Sequence, residues 1–321
     1  MPQDDYNCPA FLDEWLVDWN IDEAYSVIDG FHDVLYPKYS KIKKLKKGYT
    51  SYISDEWIDS WRNPKPYKGR EIDVSYRASK LPPNFGQIGY VKGIIGERFI
   101  RATKDYGLNV DISTDPKDLI PGSKWNSFIE GSKYCLVSNS GSSLIDARGE
   151  IASAVKCALR RKPNASFEEI ERQCFPNEDG RYILTAISPR NIEAALAETA
   201  QIATPGTYGG IMNPDSEYIP INEDCSNIKE VLEKMSDIQF RNMIVGNCKE
   251  AFLSEPRLRA RNHAKSLVQG ILSSSRIGSD FDSFGSFRAI KDRHNRYVSR
   301  LSKAYWPARR VYRYMKSRVV G

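Results

Sequence analysis

The chain has 321 residues, of which 40% are hydrophobic, 27% charged and 11% aromatic, and its net charge is +6. This composition excludes a disordered, collagen-like or coiled-coil chain, and the length predicts one large domain or two modest ones. No run approaches the ~18 apolar residues of a membrane span, and the acidic start of the chain differs from a basic signal peptide. Six scattered cysteines and three histidines show no zinc-ligand spacing. We therefore expect reduced thiols in a cytoplasmic protein.

The positive charge is concentrated at the end of the chain. Residues 276–321 hold twelve Lys or Arg against three acidic residues, so the remainder of the chain is mildly acidic. This asymmetry predicts a basic tail, and it indicates that contact with an anionic surface is confined to that tail.

Two further segments precede the tail. Residues 1–66 show an irregular helical stripe and then a lysine-rich run, which predicts a mostly helical segment. They end in the linker-like sequence WRNPKPYKGRE, which places a boundary near Pro66. Residues 67–275 instead alternate between strand and helix patterns.

The alternating segment predicts the fold class. Strands are predicted at residues 72–78, 108–113, 133–140, 183–187 and 217–221 and at the start of QIATPG. Helices are predicted between them, beginning near Lys92 in the first unit, at 144–159 and 166–172 in the middle, and after SPRN. Strands that alternate with helices indicate an α/β fold with a parallel sheet that helices cover on both faces.

Ligands of such sheets bind in the loops at the carboxyl ends of the strands. In the first of these loops, Arg77 ends a strand, Lys92 opens a helix, and Gly86 and Gly89 lie between them. Two cations and a glycine-rich turn at a helix start are suited to a diphosphate. The alternative is a solvated turn in which the glycines serve only backbone geometry.

The later loops carry weaker signals. The serines of residues 138–143 suit an anion or cap the next helix. In SPRN, Ser188 and Pro189 predict a helix start, and Glu193 just after its first turn either binds a ribose diol or is favoured there by the helix dipole. The glycines around Tyr208 either admit a ligand close to the backbone or form a simple turn.

The residues from Arg70 to about Ile271 resemble the donor-binding half of group 1 glycosyltransferases with the GT-B fold, in the bacterial branch of spore-protein-like enzymes. The phrases that carry this resemblance are IDVSYRASKLPPNFGQIGYVKG, KWNSFIEGSKYCLVSNSGSSLIDARGEI and AISPRNIEAALAETAQIATPGTYGGIMNPDSEYIPINEDCSNIKEVL. The resemblance implies a Rossmann-like parallel sheet and a nucleotide-sugar donor.

Site residues follow from the same resemblance. It implies that Arg77 and Lys92 neutralise the donor diphosphate and stabilise the leaving group, and that Glu193 holds the ribose. Many members of the family carry a second Glu where this chain has Thr185, so this chain lacks that carboxylate. The remaining motif positions, expected on the donor side without individual roles, are Ser140, Gly141, Arg190, Tyr208 and Gly209.

A complete enzyme of this family has two Rossmann-like halves, and residues 1–66 are too few for one. They are similar to the end of the acceptor-side half. The chain is then a fragment, a shortened gene product or a donor domain that works with a second chain. Asp280 and Asp282 have the spacing of a metal-binding DxD pair but lie in a serine- and glycine-rich linker, so we predict no metal site and no cofactor.

The leading hypothesis is a metal-independent transfer of a sugar from a nucleotide-diphosphate donor to an unidentified acceptor. The alternative is a non-catalytic module that binds nucleotide sugars or depends on a partner. In residues 291–321, basic residues alternate with aromatic and apolar ones at helical spacing. This pattern suits the surface of an anionic membrane, which would make the protein peripheral on the inner face, or an apolar side that docks on the protein's own body. A nucleic acid is the least favoured partner of this segment, because the rest of the chain is acidic and has no nucleic-acid motif.

Overall fold

The computed structural model describes residues 5–43 and 45–273 of the protein. The described residues up to Ser266 form one compact unit. The predicted basic tail, residues 276–321, lies outside the described residues. Among the described helices, none combines the length and the apolar character that crossing a membrane requires.

The N-terminal segment is built from short elements. They are helix α1 (Pro9–Asp18), strand β1 (Tyr25–Ser26), helix α2 (His32–Leu35), strand β2 (Lys46–Lys47) and helix α3 (Asp55–Ser60). These helices are shorter than the sequence predicts, because Asn20 and Gly30 adopt left-handed backbone conformations, with φ of 47° and 78°, that turn the chain.

This segment packs against the rest of the unit. The carboxylate of Asp13 accepts hydrogen bonds from the backbone N–H groups of Lys38 (3.0 Å) and Tyr39 (2.8 Å), which ties α1 to the following turn. Tyr36 and Tyr39 are buried in one apolar cluster with Leu184, a residue from much later in the chain. The segment is therefore part of the compact unit. That it is the end of an acceptor-side half stays a prediction.

The elements that follow alternate as predicted. The strands are β3 (Ile72–Arg77), β4 (Val110–Ser113), β5 (Ser132–Val137), β6 (Ser140–Ser142), β7 (Leu184–Ala186), β8 (Ala200–Ala203) and β9 (Ile219–Pro220). The helices are α4 (Gly86–Thr103), α5 (Ser123–Glu130), α6 (Glu150–Arg161), α7 (Phe167–Cys174), α8 (Pro189–Leu196), α9 (Ile228–Ser236), α10 (Ile238–Ser254) and α11 (Ala260–Ser273).

Five of these strands form a parallel sheet in the order β4-β3-β5-β8-β9. Val74 in β3 pairs with Val110 on one side and with Tyr134 on the other, so β3 is an inner strand. Side chains of β5 alternate between two cores, because Leu136 packs with α4 and α9 on one face and Val137 packs with α5 and α8 on the other. The prediction of an α/β fold with helices on both faces is confirmed.

Three details differ from the predictions. Strand β7 is not in the parallel sheet but pairs antiparallel with β6. Helix α4 begins at Gly86, well before Lys92, and α6 begins at Glu150 instead of residue 144. The common reason for the first and last differences is that residues 140–142 extend to pair with β7 instead of starting a helix.

A buried arginine joins the ends of several elements. The Arg70 guanidinium donates to the backbone carbonyls of Ser132 (2.9 Å) and Ala197 (2.6 Å) and to the hydroxyl of Thr199 (2.7 Å). Its Nε donates to the carbonyl of Lys65 at 2.8 Å. Burial lowers the pKa of Arg70 to about 10, which still leaves the side chain charged at neutral pH.

We expect Arg70→Met to lower the free energy of unfolding by more than about 3 kcal/mol, because each buried carbonyl left without a donor costs about 1–3 kcal/mol. Urea denaturation followed by tryptophan fluorescence measures this. Arg62→Met is the matched control, since Arg62 is exposed and pairs only with Asp59 on the surface. The control should lose less than about 1 kcal/mol, and equal losses in both variants would contradict the assigned role of Arg70.

Candidate functional site

The order of the parallel sheet places a crevice beside the end of β3. From β3 the chain adds β4 on one side and then returns to add β5 on the other. In sheets with this order, ligands bind at the reversal, outside the carboxyl ends of the two strands on either side of it. A cavity of about 190 Å³ lies there, lined by residues of both β3 and β5.

Three basic side chains line this cavity, namely Arg77, Lys92 and Arg190. The rest of the lining consists of aromatic rings, serine hydroxyls and apolar side chains. No Asp, Glu or His is among the lining residues that the structure describes. The electrostatic balance of the cavity therefore favours an anionic ligand.

Arg77 ends β3 and is held by four hydrogen bonds. Its Nη2 forms an ion pair with Oδ1 of Asp111 at 2.6 Å. Its Nη1 donates to the carbonyls of Tyr76 (3.0 Å) and Asp111 (2.9 Å), and its Nε donates to the carbonyl of Asp118 (3.1 Å). Its guanidinium lies 4.7 Å from the ring centre of Phe128. Arg77 is thus fixed between β4 and α5.

Arg190 reaches the cavity from the first turn of α8. This helix begins as the sequence predicts, because the Ser188 hydroxyl accepts from the N–H of Arg190 at 3.4 Å and Pro189 occupies the first helical position. The Arg190 guanidinium lies 5.0 Å from the ring centre of Trp125 and donates to the backbone carbonyl of Arg77. The two arginines are therefore neighbours.

Glu193 lies one turn further along α8 and faces α5. Its Oε2 accepts a hydrogen bond of 2.7 Å from the indole Nε1 of Trp125. Burial raises the pKa of Glu193, against the opposing effects of the Trp125 N–H and the positive charge of Arg190. Glu193 does not line the cavity but supports a ring that does. Its expected contact with a ribose stays a prediction.

Lys92 lines the cavity from the second turn of α4 and not from a helix start. The first N–H groups of α4 already have partners within the chain. Gln87 donates to a carboxylate oxygen of Asp179 (2.9 Å), and Ile88 donates to the hydroxyl of Ser143 (3.3 Å). Gly86 makes this possible, since a Cβ there would collide with both acceptors. The N–H groups at this helix start, which the sequence predicts to bind a diphosphate, are therefore already occupied by partners within the chain.

Ser140 and Gly141 form the start of β6. Ser140 lines the cavity. Gly141 does not, but a Cβ on it would collide with the carbonyl oxygen of Leu184 in β7, and its φ of 148° is unfavourable for other residues. Gly141 thus permits the pairing of β6 with β7. The serines of this loop do not cap α6, whose preceding residue is Gly149.

Tyr208 and Gly209 lie in a turn away from the cavity lining. The buried Tyr208 hydroxyl donates to the carbonyl of Thr204 at 2.6 Å, which closes the turn on itself. Gly209 has a φ of 65°, as a tight turn of this kind requires. Thr185 is buried, and its hydroxyl lies 3.1 Å from that of Thr207. The described structure gives these positions a role in holding the loop.

The aromatic part of the site is not apparent from the sequence. Trp125 and Phe128 on α5 line the cavity, with ring centres 5.5 Å apart. Arg190 lies over the Trp125 ring and Arg77 over the Phe128 ring. Tyr76 also lines the cavity, and its hydroxyl donates to the carbonyl of Lys92 (2.8 Å) and lies 3.0 Å from the Ser138 hydroxyl. The i, i+3 spacing of the two α5 aromatics was the available signal, but it is equally typical of core packing.

The described residues contain no group of three or more His, Cys, Asp or Glu side chains that could hold a metal ion. No protein-family model and no curated protein matches the chain at a significant level.

Similar solved structures include a mutant of S. aureus TarM in complex with fondaparinux, α-GlcNAc-glycerol and UDP, at 10% identity and a TM-score of 0.44. A second structure of TarM has 9% identity and a TM-score of 0.42. Each of these matches covers 82% of this chain but 45% of the other, so the chain spans about half the length of TarM. A glycosyltransferase from Rickettsia africae has 14% identity and a TM-score of 0.26, with 83% of this chain and 81% of that one covered.

We expect Glu193→Gln to raise the Tm by a few degrees at pH 7.5. Because burial raises the pKa of Glu193 above its ordinary value of 4.5, the wild type loses stability as the pH rises through the range between the two values. The glutamine avoids burying a charge and keeps an acceptor for the indole. Calorimetry at pH 7.5 and at pH 4 measures the difference, which should disappear at the lower pH.

Glu97→Gln is the control, since Glu97 is exposed and pairs with Lys80 on the surface. Its Tm should change little at either pH. A Glu193→Gln variant that is less stable than the wild type at pH 7.5 would show that the charge stabilises the fold.

Proposed function

We propose that this chain binds a nucleotide-diphosphate sugar and transfers the sugar, as the donor side of a glycosyltransferase. The observation that carries the proposal is the cavity at the reversal of the sheet, lined by Arg77, Lys92 and Arg190 and by no acidic side chain among the described residues. The motif phrases of the resembling family supply the kind of ligand, because those enzymes hold a donor diphosphate at this place in the fold.

The three cations suit the departure of a nucleoside diphosphate. When the bond between the sugar carbon and the diphosphate oxygen breaks, the electron pair stays on the oxygen, whose negative charge increases. Fixed cations next to that oxygen stabilise the transition state more than the ground state. Arg77, held at four of its N–H groups, also accepts a hydrogen bond from Arg190 at its carbonyl and so positions that cation.

The size of the cavity indicates which part of the donor it encloses. Its volume of about 190 Å³ is below the ~300–1,000 Å³ of sites that bury a whole small-molecule ligand. We propose that it encloses the diphosphate and that the sugar and base lie toward its open side.

We expect Lys92→Ala to weaken binding of a nucleoside diphosphate by about 10- to 100-fold, since a hydrogen bond to a charged group contributes about 1.5–3 kcal/mol. Isothermal titration calorimetry with UDP, GDP, ADP and CDP measures this. Lys80→Ala is the matched control, because Lys80 is an exposed lysine outside the cavity lining that pairs with Glu97. Unchanged affinity in Lys92→Ala would contradict the proposed site.

A second candidate is a module that binds the donor without turnover. Thr185 stands where many enzymes of the family have a Glu and pairs with Thr207. Of the described residues that line the cavity, none is an Asp, Glu or His that could act as a base or nucleophile. Release of nucleoside diphosphate from a panel of nucleotide sugars, with and without cell extract as acceptor source, separates the two candidates. Binding without release would favour the module.

We also propose that residues 291–321 bring the protein to an anionic membrane surface, on the evidence of their basic and aromatic pattern. Each basic residue near such a surface contributes about 1 kcal/mol. Removing these residues should abolish sedimentation with anionic vesicles at low salt and leave nucleotide binding intact. Full-length protein that ignores the vesicles, or a truncated protein that unfolds, would assign the tail a structural role.

A further inference from the structure

The two arginines of the cavity differ in the number of N–H groups that remain for a ligand. A guanidinium has five N–H donors. Arg77 uses four of them within the chain, on Asp118, Tyr76 and twice on Asp111. Within the part of the chain that the structure describes, one donor is left, and the side chain is only 14% exposed.

Arg190 is the opposite case. Its guanidinium makes one hydrogen bond in the described structure, to the backbone carbonyl of Arg77. The residue is exposed and lines the cavity. Four N–H donors of Arg190 therefore remain for a ligand, in the planar arrangement that matches two phosphate oxygens.

Two contacts fix the plane of the Arg190 guanidinium. The carbonyl of Arg77 holds one edge of the group, and the face of Trp125 lies below it at 5.0 Å. The Trp125 ring is itself held at its Nε1 by the Glu193 carboxylate at 2.7 Å. A carboxylate that accepts from an indole N–H makes the ring face more negative, which strengthens its attraction for a guanidinium.

We propose that Arg190 is the guanidinium that binds the diphosphate, that Arg77 positions it, and that Glu193 acts through Trp125 and not on a ribose. The identity of the ligand as a nucleoside diphosphate rests on the proposed function. The contacts that lead from Glu193 through Trp125 to Arg190 do not depend on the proposed function.

The test compares inorganic pyrophosphate with the nucleoside diphosphate that the wild type binds most tightly, by titration calorimetry on the full chain. Arg190→Ala should weaken both ligands by at least about tenfold. Glu193→Ala should weaken both by the same factor, about three- to tenfold, because its effect reaches the ligand through Arg190. A ribose contact would instead weaken the nucleotide and leave pyrophosphate unchanged, and that result would overturn the proposal.

A double-mutant cycle tests whether Glu193 acts on the ligand through Trp125. Trp125→Phe keeps an aromatic face and loses the N–H, so Glu193→Ala should have a clearly smaller effect on pyrophosphate affinity in that background, where only its direct charge interaction with Arg190 remains. Additive effects would overturn the link between Glu193 and Trp125. Glu193→Gln, which keeps an acceptor for the indole, should recover part of the loss and guards against a Glu193→Ala variant that does not fold.

Binding measurements on the wild type separate the proposed function from the assignment of Arg190. Binding of pyrophosphate without any nucleoside diphosphate would reject the proposed function and keep the assignment of Arg190. Binding of neither ligand would reject both. Equal affinity of the wild type and Arg190→Ala for pyrophosphate would reject the assignment of Arg190 alone.

Discussion

The site depends on the place of Arg77 at the end of an inner strand. Strand β3 pairs with both β4 and β5, so its last residue stands where the sheet reverses. The Arg77 side chain binds Asp111 in β4, while its backbone carbonyl receives Arg190 from α8. One residue therefore links three elements that are far apart in sequence, and the position of Arg190 depends on the register of β3.

A second constraint is the charge of Glu193. Burying a carboxylate costs free energy unless it is paired and hydrogen-bonded. Among the described residues, Glu193 has one side-chain hydrogen bond, from Trp125, and the nearby positive charge of Arg190, and its pKa is nevertheless raised. A charge that opposes stability and yet orders two cavity-lining side chains is typical of a functional position. The same reasoning does not apply to Arg70, whose buried charge is satisfied by four acceptors.

The sequence predicted the fold better than the site, for physical reasons. A buried parallel strand such as β5 is apolar on both faces and stands out in the sequence. The three-residue sequence of β7 does not reveal which strand it pairs with, because its antiparallel pairing with β6 depends on the absence of a side chain at Gly141. Helix α4 begins earlier than the sequence predicts, since its capping groups, Asp179 and Ser143, come from other parts of the chain.

The site shows the same division between local and distant contacts. Arg77, Lys92, Ser140 and Arg190 follow strands or lie on the helices after them, so sequence position alone places them near one edge of the sheet. Trp125 could not be found in this way, because its importance comes from a hydrogen bond to a residue 68 positions later.

The chemistry of the cavity also limits how a transfer could proceed. Under the proposed function, the described cavity would stabilise a leaving group, but its ionisable lining groups, Arg77, Lys92 and Arg190 besides buried Tyr76 and Cys135, include no strong base for the acceptor. Burial raises the pKa of Cys135 to about 12 and that of Tyr76 to about 12, so both are protonated at neutral pH. In that case a base for the acceptor comes from outside the described lining or from the donor diphosphate itself. In the latter case the departing diphosphate oxygen takes the acceptor proton, and the cations that hold the diphosphate also determine where that proton goes.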